Sequence, residues 1–128
     1  MSSFRKGDTY WGPLKRSTSI PHLWIILSDP SSADGKFVAA NVTDFENNQG
    51  DTTCVLEIGE HPCITKRSVI NYSDAQTVDE SSLQRLERSG YVEKRQPLTG
   101  HLLAKVQEGA LKSDDMPRRL AELVRVGR

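Results

Sequence analysis

The run His22–Leu27 constrains the fold of this chain more than any other segment. Its residues, His-Leu-Trp-Ile-Ile-Leu, are rich in β-branched and aromatic side chains and are apolar almost without alternation. A strand with one solvated face alternates apolar and polar residues, whereas an unbroken apolar run is typical of a strand covered on both faces. We therefore expect a central strand here, in a chain of 128 residues that is long enough to bury one core.

Turn signals divide the first 78 residues into further short strands. Besides the central run, the pattern predicts strands near Thr9–Trp11, Lys36–Thr43, Thr52–Leu56, Cys63–Thr65, Ser68–Tyr72 and Ala75–Val78. Many short strands at a spacing of roughly ten residues favour a compact antiparallel barrel, because closure removes exposed strand edges.

The hydrophobic period changes after Val78, where helices are expected. Asp79 is a good N-cap for a helix over Glu80–Ser89, which Gly90 would end, and Thr99 is a good N-cap for a second helix. Asp114 or Asp115 would cap a third helix with Pro117 in its first turn. The predicted class is α+β, a single domain over 1–128 with a β-barrel core over 5–78 and a helical part over 79–128.

The formal net charge of zero conceals an uneven distribution. Residues 1–80 carry seven basic and eleven acidic side chains, whereas residues 81–128 carry ten and six. The first twenty residues are themselves basic, with four Lys or Arg against Asp8 alone. Such a chain can present a local positive face to a phosphate backbone, although solvated helix surfaces would give the same count.

Several classes of protein lose support from what the sequence lacks. No apolar run approaches the ~20 residues of a membrane helix, and the first eight residues do not resemble a signal peptide, so a cytoplasmic protein is expected. The glycine-rich nucleotide loops and the serine-hydrolase motif are missing. Cys54, His61 and Cys63 lack the fourth ligand of a structural zinc site, so we expect two reduced thiols and no metal.

Metal-free cleavage of RNA fits the polar residues that remain. The substrate's own 2′-hydroxyl is the nucleophile, so the protein needs only to move protons and to stabilise charge on the phosphorane. No cofactor is required. Groups of the right kind stand near the ends of predicted strands, namely Lys15, Arg16, His22 and Thr43, with His61 as a second imidazole. Tyr10 and Trp11 are candidates for stacking on unpaired bases of single-stranded RNA, or for core packing.

The order of these segments resembles the PemK/MazF-type toxin family over residues 5–87. The resemblance rests on Gly7-Asp8 before an aromatic strand, Pro21 leading into Trp24–Ser28, the strand from Val38 to Thr43, and Asp74–Val78 before a helix containing Leu83. It implies an SH3-like barrel, a homodimer, and a sequence-specific endoribonuclease that an antitoxin protein neutralises. Thr43 matches the threonine of the family's third-strand turn.

The chain departs from the family at one position that bears on catalysis. The family carries a catalytic Arg immediately before the proline of the second strand, and Ile20 stands at that position here. Either another cation such as Arg16 supplies the charge, or catalysis is lost. The second case describes a non-catalytic module that recognises a protein or nucleic acid, with the basic helical tail as its docking element. A protein that binds a small molecule in a pocket is a third hypothesis, but no group of polar residues that would converge on such a ligand favours it.

Overall fold

A computed structural model describes residues 4–14, 21–30, 35–47 and 49–128 of the chain. Its strands are β1 (Thr9–Gly12), β2 (His22–Ile26), β3 (Lys36–Asp44), β4 (Val55–Leu56), β5 (Ser68–Asp79) and β6 (Glu93–Arg95). Its helices are α1 (Glu80–Arg88), α2 (Gly100–Lys112) and α3 (Arg118–Gly127).

The described strands form one sheet in the order β4-β5-β3-β2-β1-β6, with every neighbouring pair antiparallel. The sheet curls into a half-barrel that the helices follow, which confirms the predicted α+β class. Strand β3 pairs with both β2 and β5, so the centre of the sheet is built around it. A register shift between Ala39 and Asn41 marks a bulge in the pairing of β3 with β5.

Both faces of the sheet are covered, as the unbroken apolar run at His22–Leu27 predicts. Leu23, Ile25 and Leu27 pack with α2 and α3 in one buried cluster. Trp24 and Ile26, which alternate with them, pack with Leu83 and Leu86 of α1 in the other. Alternate residues of β2 therefore enter different cores, and neither set is left in water.

The first two helices begin where local sequence signals place them. The Asp79 carboxylate accepts the Ser82 backbone N–H at 2.7 Å, and the Thr99 hydroxyl accepts that of Leu102 at 3.1 Å. Each bond satisfies one of the amides that a helix start leaves without an intrahelical partner. Gly90, with φ of 78°, follows α1 in a conformation that favours glycine.

Four local expectations are wrong. Pro117 is the N-cap of α3 and makes no side-chain capping bond, so neither Asp114 nor Asp115 caps it. Residues Cys63–Thr65 form no strand, since Cys63 ends a turn and the next two residues have no regular structure. The two strands predicted over 68–78 are one strand, β5, that continues through Ser73 and Asp74. Strand β6 lies in the part predicted to be helical, where its exposed sequence Glu-Lys-Arg gives no strand signal.

Candidate functional site

A cavity of about 280 Å³ opens where β2 begins and β3 ends. Three of the predicted site residues, Trp11, His22 and Thr43, line it together. The rest of the lining comes from the strand ends and from the turn before β5: Pro21, Leu23, Val42, Asp44, Cys63, Thr65, Lys66 and Ser68. This cavity is the candidate functional site.

The pairing of β2 with β3 brings His22 and Thr43 side by side. Leu23 is the partner of Val42 in the register of these antiparallel strands, so the next step along both strands places His22 beside Thr43. Directly opposite residues of an antiparallel pair have their side chains on the same face and within contact distance. An imidazole and a hydroxyl therefore stand at adjacent strand ends, and both line the cavity.

A backbone contact selects the tautomer of His22. Its Nδ1 lies 3.3 Å from the Val42 carbonyl oxygen. A carbonyl only accepts hydrogen bonds, so Nδ1 carries the hydrogen in the neutral ring and Nε2 keeps its lone pair. The ring is half-buried. His22 is thus arranged as a proton acceptor.

The cavity also holds an ion pair that sequence reasoning missed. The Lys66 Nζ lies 3.2 Å from Asp44 Oδ2, with the lysine side chain 67% exposed and the aspartate 18% exposed. Partial burial acts to raise the pKa of Asp44, but hydrogen bonds from Lys66, from the Glu46 N–H and from Asn47 outweigh it and hold the pKa below its usual range. The Asp44 carboxylate is therefore charged and bound to the ammonium at neutral pH.

The pairing of Asp44 with Ser68 explains why this ion pair was missed. Asp44 ends β3 and Ser68 begins β5, and their register brings Lys66 of the preceding turn to the aspartate. The two charged residues are far apart in the sequence, and only the strand pairing joins them. A single sequence offers no local signal for such a contact.

His61 supports the turn that carries Cys63 and Lys66. Its Nδ1 accepts the Cys63 backbone N–H at 3.0 Å, and its Nε2 donates to the Gln96 carbonyl at 2.6 Å. The side chain is only 4% exposed and is not among the residues that line the cavity. With both ring nitrogens engaged, His61 is not arranged for the proton transfer that the sequence suggested.

The two adjacent aromatic residues of β1 have opposite environments. Tyr10 is fully buried against Phe4, with ring centroids 5.9 Å apart, and burial raises the pKa of its phenol above the usual value. Trp11, the next residue, is 40% exposed and lines the cavity. The packing leaves no ring face of Tyr10 for an unpaired base, so of the two candidates for stacking it is Trp11 that has an exposed ring.

Some of the predicted site residues fall outside the described parts of the chain. Lys15, Arg16 and Ile20 lie there, and the roles given to the two cations stay predictions. Within the described residues, no three His, Cys, Asp or Glu side chains come together to hold a metal ion. Cys54 is buried and Cys63 half-buried, and both are free thiols.

Comparisons with known proteins bear on the fold of the chain. No family model and no curated protein matches the chain. A solved structure does, described as an endoribonuclease in complex with its cognate antitoxin from a mycobacterial species, with a TM-score of 0.56 and 15% identity. The match covers 91% of this chain and 98% of that one. None of the described helices is long and apolar enough to cross a membrane. At this identity the likeness shows a shared fold, a curled antiparallel sheet followed by helices.

Proposed function

We propose that this chain is a metal-independent endoribonuclease that cleaves single-stranded RNA, the toxin of a type II toxin–antitoxin pair. The observation that carries the proposal is the cavity itself, which combines the His22 imidazole, the Thr43 hydroxyl and the exposed Trp11. These are the group types that RNA cleavage requires of a protein when the substrate supplies its own nucleophile. The fold match to a chain from an endoribonuclease–antitoxin complex adds support.

The proposed reaction is an internal transfer at phosphorus. His22 Nε2 takes the proton of a 2′-hydroxyl, whose oxygen forms a bond to the adjacent phosphorus. The bond from phosphorus to the 5′-oxygen breaks, and that oxygen takes a proton from solvent at the open mouth of the cavity. The products are a 2′,3′-cyclic phosphate and a 5′-hydroxyl end. Thr43 would donate a hydrogen bond to a non-bridging oxygen as its charge grows, which favours the transition state over the substrate.

The remaining expectations for the site concern binding. Trp11 would stack on one unpaired base, which suits single strands because every base has a π face. Lys15 and Arg16, in the basic segment before Pro21, would contact the phosphate backbone. The acidic balance of residues 1–80 argues against indiscriminate polyanion binding and favours a short, local contact.

The proposed partners follow from the same interpretation of the chain as a toxin. An antitoxin protein would occupy or distort the cavity, and the neighbouring structure is a complex with a cognate antitoxin. A homodimer, which the family resemblance implies, and a cytoplasmic location complete the proposal.

A second candidate is a binding module that has kept the fold and lost the reaction. Ile20, at the position where the resembled family carries a catalytic Arg, favours it. Its partner would be a protein or a nucleic acid, and the basic helical tail would take part in docking.

One experiment separates the two candidates. Purified protein is incubated with mixed single-stranded RNA in excess EDTA, and the new ends are tested for 2′,3′-cyclic phosphate. The His22→Ala variant should lose activity by about 10²–10⁴-fold, the usual contribution of a general base. His101→Ala is the matched control, because His101 is exposed on α2 and does not line the cavity. Absence of cleavage by the unmodified protein, with no effect of its overexpression on growth, rejects the enzyme.

A further inference from the structure

We propose that Lys66 is the residue that contacts the phosphate at the cavity, in place of the arginine that Ile20 replaces. The inference rests on the proposed function, since it assigns a substrate-binding role within that site. Lys66 is in the turn before β5, whereas the arginine of the resembled family precedes the second strand. The charge would therefore reach the same cavity from a different element.

The composition of the cavity wall is the first argument. Of the described residues that line it, Lys66 is the one lysine or arginine, and His22 is the other basic side chain. Asp44 is the one acidic member. Within the described part of the chain, Lys66 is therefore the lysine or arginine that a phosphate entering this cavity would meet.

The fixed backbone around Lys66 is the second argument. The Lys66 carbonyl accepts the Ser68 hydroxyl at 2.9 Å, and the next carbonyl, that of Arg67, accepts the Phe45 N–H at 3.1 Å. The Arg67 side chain pairs with Glu57 at 2.8 Å. Because the turn is attached on both sides, the ammonium is held near the cavity without the full entropic cost of ordering a mobile loop.

The donors of the ammonium are the third argument. A lysine ammonium has three N–H donors, and the contact with Asp44 Oδ2 uses one of them. With the side chain two-thirds exposed, the others are accessible to phosphate oxygens. Asp44 thus orients the ammonium while lowering the net charge of the cavity. Such a pair favours a defined contact with one phosphate over general attraction of polyanions.

The test measures binding and cleavage separately. The probe for binding is a fluorescent single-stranded RNA whose 2′-hydroxyls are methylated, so it cannot be cleaved by the proposed reaction. Its affinity is measured over a salt series for the unmodified protein, Lys66→Gln and Lys66→Arg. Lys112→Gln is the matched control, because Lys112 also forms an exposed ion pair, with Glu108, but on α2 away from the cavity lining.

Loss of one phosphate contact has a defined size. Each contact contributes about 0.7 to the slope of log affinity against log salt for a single strand, so at about 0.1 M salt its loss weakens binding roughly fivefold. Lys66→Gln should show both effects, Lys66→Arg should keep the slope, and Lys112→Gln should match the unmodified protein. Equal slopes for Lys66→Gln and the unmodified protein, or equal losses in both glutamine variants, would overturn the assignment.

The outcomes for cleavage keep this inference distinct from the proposed function. If the unmodified protein cleaves RNA and Lys66→Gln binds and cleaves normally, the role of Lys66 is refuted while the enzyme stands. If binding depends on Lys66 but no cleavage occurs in EDTA, the enzyme is refuted while the phosphate contact stands. Absence of any RNA binding refutes both.

Discussion

Replacement of His61 by alanine should destabilise the protein, because it removes the hydrogen-bond acceptor of the Cys63 N–H. The Cys63 N–H donates to His61 Nδ1, and truncation leaves that partly buried donor without its partner. The other bond is less costly to lose, because the Gln96 carbonyl also accepts the Thr9 hydroxyl at 2.8 Å. An unsatisfied buried donor costs about 1–3 kcal/mol, and the space left by the imidazole adds to it. We expect a loss of about 2–3 kcal/mol in the free energy of unfolding.

Two amide variants separate the contributions of the ring nitrogens. The Oδ1 of His61→Asn can take the place of Nδ1 and accept the Cys63 N–H, whereas the longer His61→Gln can place a donor near Nε2 and contact Gln96. The Gln96 carbonyl still accepts the Thr9 hydroxyl in every variant, so the bond to the Cys63 N–H matters more. The loss in the free energy of unfolding should therefore be greatest for His61→Ala, smaller for His61→Gln and smallest for His61→Asn. His101→Ala, at an exposed site, should change the stability by less than about 0.5 kcal/mol.

Urea unfolding followed by tryptophan fluorescence measures these differences, since Trp24 is buried in the core. A shift of the midpoint at constant slope reports a change in stability, so the variants must share one m-value. A glutamine variant more stable than the asparagine variant would refute the reasoning, because it would show that the contact with Gln96 dominates. Equal stability of His61→Ala and the unmodified protein would refute it as well.

Two further predictions concern helix geometry and pH. Gly109→Ala should destabilise the protein by about 1–3 kcal/mol through overpacking, because the new Cβ would lie 2.2 Å from the Tyr72 hydroxyl oxygen. Gly100→Ala in the same helix is the control: its Cβ would meet nothing within 4 Å, so the substitution should be neutral or stabilising. Tyr72→Phe removes that oxygen, so Gly109→Ala should lower the stability less in the Tyr72→Phe background. If thermal unfolding shows that the losses of the two single variants simply add in the double variant, the predicted clash is contradicted. Asp79→Ala should cost about 1 kcal/mol at neutral pH through loss of the α1 cap, while Asp79→Asn keeps most of it. The hydrogen bond from the Ser82 N–H lowers the pKa of Asp79. The charge-dependent part of the stability that Asp79 contributes is therefore present above the ordinary carboxyl pKa range and is lost as the pH falls through the lowered pKa. Unfolding measured at several pH values tests this dependence.

The parts of the fold that sequence reasoning predicted are those whose physical cause is local. Asp79 and Thr99 cap their helices through bonds to amides three residues away, so a short window contains donor and acceptor. The central strand was predictable because burial on both faces leaves its mark on the five consecutive residues Leu23–Leu27. In each case the interacting groups, or their effect on composition, lie within one segment.

The features that were missed depend on partners far away in the chain. Strand β6 exists because Glu93–Arg95 pairs with β1, more than eighty residues earlier, and its own side chains are exposed and charged. Similarly, the period of two along β1 predicts that Tyr10 and Trp11 face opposite sides, but only the packing of Phe4 shows that Tyr10 is the buried one. Pairing and packing over long separations decide such cases.

The same distinction explains how the site could function without the arginine of the resembled family. A strand end forms only one side of a cavity. The opposite wall is formed by the turn that the strand register places there. Here the pairing of Asp44 with Ser68 brings Lys66 to the cavity that His22 and Thr43 also line. In the proposed assignment the turn before β5 carries the charge that position 20 carries in the resembled family, and Lys66→Gln tests that assignment more directly than restoring an arginine at Ile20 would.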